Sequence, residues 1–174
     1  KAWKGFDDKE LTRRAEISRQ QWAEKSPEEQ KQLREKAGQK IREAAVHGSK
    51  LEHYLMHELI KAGYKVDFHR EYLLPNERLQ VDLYLPILKV ALEVDGPSHF
   101  SPIWGEETLA RNKASDATKN GLLLGMNLCV IRIKQKKYLS KKFKRDILAQ
   151  LLELLKNISK KFPDKNNRYI ELGD

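Results

Sequence analysis

A mixed α/β sheet with helices packed against it, preceded by a polar helical extension, is the fold that the sequence predicts. Three observations predict it. Short segments whose apolar residues alternate with a period of two lie between longer segments with a helical period. Their order is helix, three strands, helix, strand, helix, which calls for a sheet covered by helices. The first 48 residues, in contrast, are rich in Lys, Arg, Glu and Gln and hold few apolar positions.

Residues 7–25 read as a polar helix whose apolar positions are Leu11, Ala15, Ile17 and Trp22. Ser26-Pro27-Glu28-Glu29 starts a second helix, with a Ser cap, Pro at the first helical position and Glu three residues after the cap. It runs to about His47, and Gly48 can end it. Both helices are too polar to form a core alone, so they are a solvated linker, or lie along another surface or over nucleic acid. Ser49 caps a clearly amphipathic helix in which Leu51, Tyr54, Leu55, Leu59 and Ile60 share one stripe, with its stop at Gly63. A strand follows at about 64–72, carrying Tyr64, Val66 and Phe68.

Residues 78–85 then alternate, with Leu79, Val81, Leu83 and Leu85 against Gln80, Asp82 and Tyr84. Residues 88–94 alternate as well, with Leu88, Val90, Leu92 and Val94 against Lys89, Ala91 and Glu93. Pro86-Ile87 reads as the turn between them. A loop with Gly96, Pro97 and Pro102 leads to a helix at about 106–120, with Gly121 and Gly125 near its end. Residues 127–134 form an apolar strand, in which the single cysteine, Cys129, reads as a small buried hydrophobe. A helix at 139–161 is basic at its start and Leu-rich later, and Pro163 onward reads as a polar tail. The expected organisation is therefore an extension over 1–48, a domain over 49–162 and a tail over 163–174.

The net charge of +9 is unevenly spread. Residues 1–48 carry +3, residues 49–132 carry −1 and residues 133–174 carry +7. Basic clusters neutralise phosphates and release counterions, so a polyanionic partner fits, although lysines can also simply solvate helices. No stretch is apolar enough to span a membrane. One cysteine excludes an internal disulfide framework and a Cys-rich zinc knuckle.

Chemistry must come from the near-neutral centre. If Pro86-Ile87 is a two-residue turn, Asp82 faces Ala91 and Glu93 is its diagonal neighbour, with backbones roughly 7–8 Å apart. The strand period puts Asp95 on the same face as Glu93. Three clustered carboxylates repel unless a cation joins them, and hard oxygen ligands suit Mg²⁺; the alternative is an exposed, acidic sheet face. His99 lies four residues beyond Asp95, where it could pass a proton or be an ordinary loop histidine. Glu52 in the first turn of its helix either reaches the same ion or complements the dipole. Asp116 and Lys119, about one turn apart, are a surface ion pair or an acid and a cation beside a phosphate.

The run Val81-Asp82-Leu83-Tyr84-Leu85-Pro86, followed by Ala91-Leu92-Glu93-Val94-Asp95-Gly96-Pro97-Ser98-His99-Phe100, resembles the PD-(D/E)XK nuclease superfamily. It is most similar to the very-short-patch-repair-like branch that includes the EDxHD homing endonucleases of phages and mobile elements. The resemblance spans about residues 49–135 and takes in Glu52 ahead of that run and Asp116 and Val130-Ile131-Arg132 after it. It implies a restriction-endonuclease-like fold and Mg²⁺-dependent cleavage of double-stranded DNA, with Mn²⁺ as a substitute, in an intracellular setting; one site cuts one strand, so cutting both calls for a homodimer on DNA or two sequential nicks. Asp82 would be the central metal ligand, with Glu93 and Asp95 beside it. His99 would be the acid–base group, with Glu52 and Asp116 in support. Lys119, Lys134, Lys136, Lys137, Lys141, Lys142, Lys144 and Arg145 would hold the DNA backbone. The aromatic loop with Phe100, Ile103 and Trp104 would wedge into a base step or lie under the sheet. The family's usual lysine two residues after the strand acid is replaced by Asp95, so water activation falls to that acid or to Lys119 or Lys113. RAP domains, linked to RNA in organelles, carry a similar Glu-Val-Asp-Gly-Pro-Ser-His-Phe segment, which implies a non-catalytic RNA- or DNA-binding module as the alternative.

Overall fold

The computed structural model describes residues 8–71, 80–102, 105–136 and 139–173. Leu79, Ile103, Trp104 and Lys137 lie outside the described residues. The chain divides into two compact units, Lys1–His47 and Gly48–Asp174.

The first unit holds α1 (Asp8–Ala23) and α2 (Pro27–His47). Ser26 and Glu29 form the expected reciprocal cap: Ser26 N–H donates to Glu29 Oε2 at 2.9 Å, and Glu29 N–H donates to Ser26 Oγ at 3.2 Å. The corner between the helices is held by Trp22. Its carbonyl accepts from Gln30 Nε2 at 2.9 Å, and its ring lies 5.5 Å from the Arg34 guanidinium. With exposed charges on most of the remaining positions, the unit has no apolar core of its own among the described residues.

The second unit is α/β. A five-stranded mixed sheet runs in sequence order through β1 (Asp67–Arg70), β2 (Val81–Leu85), β3 (Val90–Asp95), β4 (Cys129–Lys134) and β5 (Tyr169–Leu172). The first three strands form an antiparallel meander, and β3, β4 and β5 are parallel. Parallel neighbours need crossovers; α4 (Glu106–Gly125) leads into β4 and α5 (Lys141–Lys160) into β5. α3 (Lys50–Lys61) precedes the sheet and begins at a capping box in which Ser49 and Glu52 bond reciprocally.

The period of two sorts the side chains. Leu83, Leu85, Val90, Leu92, Cys129, Ile131 and Ile133 pack with Leu51, Leu55 and Leu59 of α3 and Ile147, Leu151 and Leu155 of α5. That face is wholly apolar. The opposite face is divided: Ala91 and Val130 pack under Leu123 near the end of α4. Farther along the same strands the positions turn polar. α4 has only a sparse apolar stripe because half of what it covers is charged. Among the described residues, no helix is long and apolar enough to cross a membrane.

Three expectations are corrected. Residues 169–172 are not tail but the edge strand β5, in register with Val130–Ile133 of β4. The β2–β3 connection is not a two-residue turn at Pro86-Ile87. Leu85 pairs with Val90, leaving four residues between, with Lys89 in the left-handed region (φ 52°) and its N–H on the Pro86 carbonyl at 3.3 Å. The helix expected to stop near 120 continues through Gly121 to Gly125.

Candidate functional site

The corrected register places one polar row across the sheet. Leu83 pairs with Leu92, so Asp82 and Glu93 are directly opposite one step farther on, not diagonal. Between the pairs Phe68–Leu83 and Arg70–Val81, His69 is level with Asp82. Glu93 pairs with Arg132, and Arg132 with Glu171. One row thus reads His69, Asp82, Glu93, Arg132, Glu171, and the last four each lie between aliphatic neighbours on their own strands. Asp95 and Lys134 form the next level toward the carboxyl ends of the parallel strands. That is where open α/β sheets bind ligands.

The side chains divide into two groups. The first joins Glu52, His69 and Asp82, whose potential ligand atoms all lie within 4.8 Å of one another. Glu52 Oε2 is 2.8 Å from His69 Nε2, while its Oε1 accepts the Ser49 N–H at 3.0 Å. Asp82 Oδ2 accepts the Val94 N–H at 2.8 Å. Across the strand, Glu93 Oε2 accepts from Lys119 Nζ at 2.5 Å, and Glu93 Oε1 is buried without a hydrogen-bond partner. Burial pushes the Asp82 carboxyl up to about 6, with the charge of Glu52 adding to it and Lys119 opposing it. Burial, and then the charge of Asp82, pushes Glu93 up to about 8 against the pull of Lys119. Two acids, Glu93 buried and Asp82 half-buried, thus face each other with one lysine bonded to Glu93.

The second group is built on Arg132, which is 4% exposed. Its guanidinium grips both oxygens of Asp95, through Nε at 2.8 Å and through Nη2. Nη2 also lies 3.2 Å from Asp116 Oδ1, and Nη1 donates to Asn120 Oδ1 at 3.2 Å. Asp116 Oδ2 in turn meets His99 Nδ1 at 2.9 Å. A 3-10 turn over Pro97–His99 brings the histidine back, with its Nδ1 3.8 Å from Asp95. The bond to Asp116 outweighs burial and raises the His99 pKa. Burial alone would raise Asp116, but the bonds from His99 and Arg132 hold it below the usual carboxylate range. Burial works against the charge of Arg132, yet Asp95 and Asp116 hold its pKa above the ordinary value.

The candidate residues Glu52, Asp82, Glu93, Asp95, His99, Asp116 and Lys119 therefore gather at one end of the sheet. Their expected pairings change. Asp116 and Lys119 are not paired with each other; one serves His99 and Arg132, the other Glu93. Asp95, expected beside the metal, is committed to Arg132. Lys119, expected on the DNA backbone, is largely buried on Glu93. Sequence reasoning misses His69, Asn120 and Arg132 as site residues. The signal for Arg132 is a single polar residue within an aliphatic strand: Ile131-Arg132-Ile133 repeats the pattern of Val81-Asp82-Leu83.

The basic residues adjoin this end. Lys134 bonds Glu171, and Lys136 lies 6.0 Å from the Phe100 ring. Lys141, Lys142, Lys144 and Arg145 occupy the first turns of α5, behind the Ser140 cap. Lys144 sits 4.7 Å over the Tyr54 ring of α3, and Lys142 pairs with Asp146 at 2.9 Å. A helix N-terminus already bears positive partial charge, so four cations there raise the energy unless an anion is present.

Gly48 closes the site from the side of α3. It holds φ 86°, and a Cβ there would lie 2.4 Å from Phe68 Cζ and 3.2 Å from both Glu52 Oε2 and His69 Nε2. Gly48→Ala should therefore destabilise the domain by about 1–3 kcal/mol, read as a lowered Tm, because strain and collision act together. An unchanged Tm would mean that this corner is loose.

No protein-family model, curated protein or solved structure matches this chain. What the site can do must come from its own donors. A hard divalent cation fits the first group, where carboxylate oxygens of Glu52 and Asp82 converge with the His69 imidazole; Glu93, expected as a ligand, stands outside that cluster, opposite Asp82, with its buried Oε1 lacking a partner. Asp95, His99 and Asp116 also bring ligand atoms within 4.8 Å of one another, but there Arg132 already supplies the positive charge between the two carboxylates.

Proposed function

We propose that the Gly48–Asp174 unit is a metal-dependent DNA endonuclease with a restriction-endonuclease-like sheet, similar to the very-short-patch-repair-like, homing-type branch of the PD-(D/E)XK superfamily. The observation that carries this reading is the facing Asp82–Glu93 pair, in which Glu93 is buried with Lys119 on one oxygen and no partner on the other. Stability alone would not select two facing acids in an apolar sheet, and carboxyls shifted by burial together with a specific charge partner are candidates for function. Asp82 and Glu93, with Glu52 and His69 alongside, would hold Mg²⁺. That ion would lower the pKa of water and offset charge on the phosphate.

The chain's own groups supply the rest. Lys119, on α4, would take the part of the family's strand lysine, since Asp95 holds that strand position and bonds Arg132. Its ammonium, anchored on Glu93, can face an attacking water or a phosphate oxygen. His99 offers its Nδ1 to Asp116, so Nε2 is the atom turned to substrate. It can take a proton from water or give one to the leaving 3′ oxygen. The cations at the start of α5 would bind the DNA backbone without reading sequence.

The test is nicking of supercoiled plasmid with Mg²⁺ or Mn²⁺ and with EDTA. Relaxed product that EDTA abolishes supports the reading, and intact plasmid under every metal condition overturns it. A specific observation favours a second reading, the non-catalytic RNA- or DNA-binding module. Arg132 and Lys119 already neutralise Asp95, Asp116 and Glu93 from within. Binding with steep salt dependence but no nicking would select that module.

Both readings need the basic start of α5. Replacing Lys141, Lys142, Lys144 and Arg145 by Gln should lower the slope of log affinity against log salt by roughly 0.9 for each phosphate no longer neutralised. Fluorescence anisotropy at several salt concentrations measures this, and an unchanged slope would place the DNA elsewhere.

A further inference from the structure

Arg132 is the most heavily engaged side chain in the site, and the nuclease reading above gives it no part in the reaction. It comes from the centre of β4 between Ile131 and Ile133, both fully buried. Its register partners are Glu93 on one side and Glu171 on the other. It bonds neither. Glu171 instead takes Lys134 and the Tyr169 hydroxyl, and Glu93 takes Lys119. The guanidinium is thereby directed to Asp95, Asp116 and Asn120, so that β3 and α4 are joined through one planar fork.

The consequence falls on His99. Asp116 presents one oxygen to Arg132 and the other to His99 Nδ1. Fixing the first oxygen fixes the second. The His99 ring then has one hydrogen bond to satisfy and one orientation in which to do so. With Nδ1–H donating to Asp116, the neutral ring carries its lone pair on Nε2. Arg132 also places one positive charge between two carboxylates that would otherwise both face the imidazole. A lysine cannot reproduce this, because a single ammonium cannot grip Asp95 with two parallel bonds while reaching Asp116 and Asn120.

We infer that Arg132 is a positioning residue that acts through Asp116 to hold His99 in the Nδ1–H tautomer with Nε2 facing the substrate. This deepens the nuclease reading and, for its kinetic consequence, rests on it. The test therefore has one arm that does not depend on cleavage. Side-chain ¹⁵N NMR of the histidines, with His99 assigned by His99→Gln, reports which ring nitrogen carries the proton. In the wild-type chain neutral His99 should show protonated Nδ1 and bare Nε2. In Arg132→Lys it should show a mixture of tautomers.

In the second arm, Arg132→Lys should lower the nicking rate at saturating DNA by about 10–100-fold, the usual cost of losing a residue that orients a functional group. The DNA concentration for half-maximal rate should stay within about twofold. Added guanidinium should restore part of the rate to Arg132→Gly, which a purely structural role would not allow. If Arg132→Lys fails to fold, Asn120→Ala, which removes only the Nη1 bond, should shift the same signals in the same direction by a few-fold. A single unchanged His99 tautomer in Arg132→Lys, or in Asn120→Ala where the first does not fold, would overturn the inference whatever the rate. An unaltered tautomer pattern defeats this inference alone, whereas absence of nicking in the wild-type chain defeats the nuclease reading alone.

Discussion

Asp82→Asn should bring plasmid nicking down to the level seen in EDTA while leaving DNA affinity within about twofold. The substitution keeps an oxygen to accept the Val94 N–H, so the β2–β3 pairing should survive. What it removes is a half-buried negative charge opposite Glu93. Without that charge the site has lost the carboxylate at its centre, level with His69 on one side and Glu93 on the other. Loss of one well-placed electrostatic group costs about 10²–10³-fold in rate, and loss of a central cation ligand should cost at least as much. Affinity should be spared because the cations of α5 lie on a different element. Stability should be equal or slightly higher, since Glu93 is relieved of a neighbour that raises its pKa. Persistent cleavage by this variant would remove Asp82 from the mechanism.

Stripped of divalent ions, the protein should become more stable as the pH is lowered from about 8.5 to about 6. The sign follows from the direction of the shifts. Folding raises Glu93 from 4.5 to about 8 and Asp82 from 3.8 to about 6. Between those limits the folded chain holds protons that the unfolded chain releases, so lowering the pH favours the folded state. This contribution is full below the unfolded values and is lost as the pH rises through the folded ones. His99, raised by Asp116, acts in the same sense. Asp116 acts in the opposite sense, but its window lies below 3.8. One pKa unit corresponds to about 1.4 kcal/mol, so thermal melting in EDTA should show a Tm rise of several degrees. Millimolar Mg²⁺ should flatten the profile by favouring the ionised acids. A Tm that falls on acidification over this range would mean that Glu93 and Asp82 are ionised and compensated in the metal-free protein.

The sequence makes α2, α3, β2 and α5 legible because each has an unambiguous signal: a Ser cap with Glu three residues on, a Leu stripe, or clean alternation. Asp82, Glu93, Asp95 and His99 can be placed near one another because the strand period fixes their faces. Their partners cannot, because pairing across strands is decided by register. Counting Leu88 as strand rather than turn displaces Asp82 from Glu93 to Ala91, although every side chain stays on its correct face. β5 escapes notice because four residues following Pro163-Asp164-Lys165-Asn166-Asn167 look like the end of a polar stretch. Only the exposed edge of β4 gives Ile170 and Leu172 somewhere to pack. Arg132 reads as part of a strand rather than as chemistry, since an arginine in a strand has meaning only once its acids are known.

The meander and the crossovers also set the order in which the site can assemble. Asp82 and Val94 meet across 12 residues, but Lys119 reaches Glu93 across 26 and Arg132 reaches Asp95 across 37. Local pairings close sooner than distant ones because their loop entropy is smaller. A refolding chain should therefore bring its acids together before its own cations arrive, and pass through a stage in which the carboxylates repel unshielded. Kinetic φ-values for Leu83→Ala should then exceed those for Ile131→Val; the reverse order would mean that the parallel half of the sheet nucleates folding.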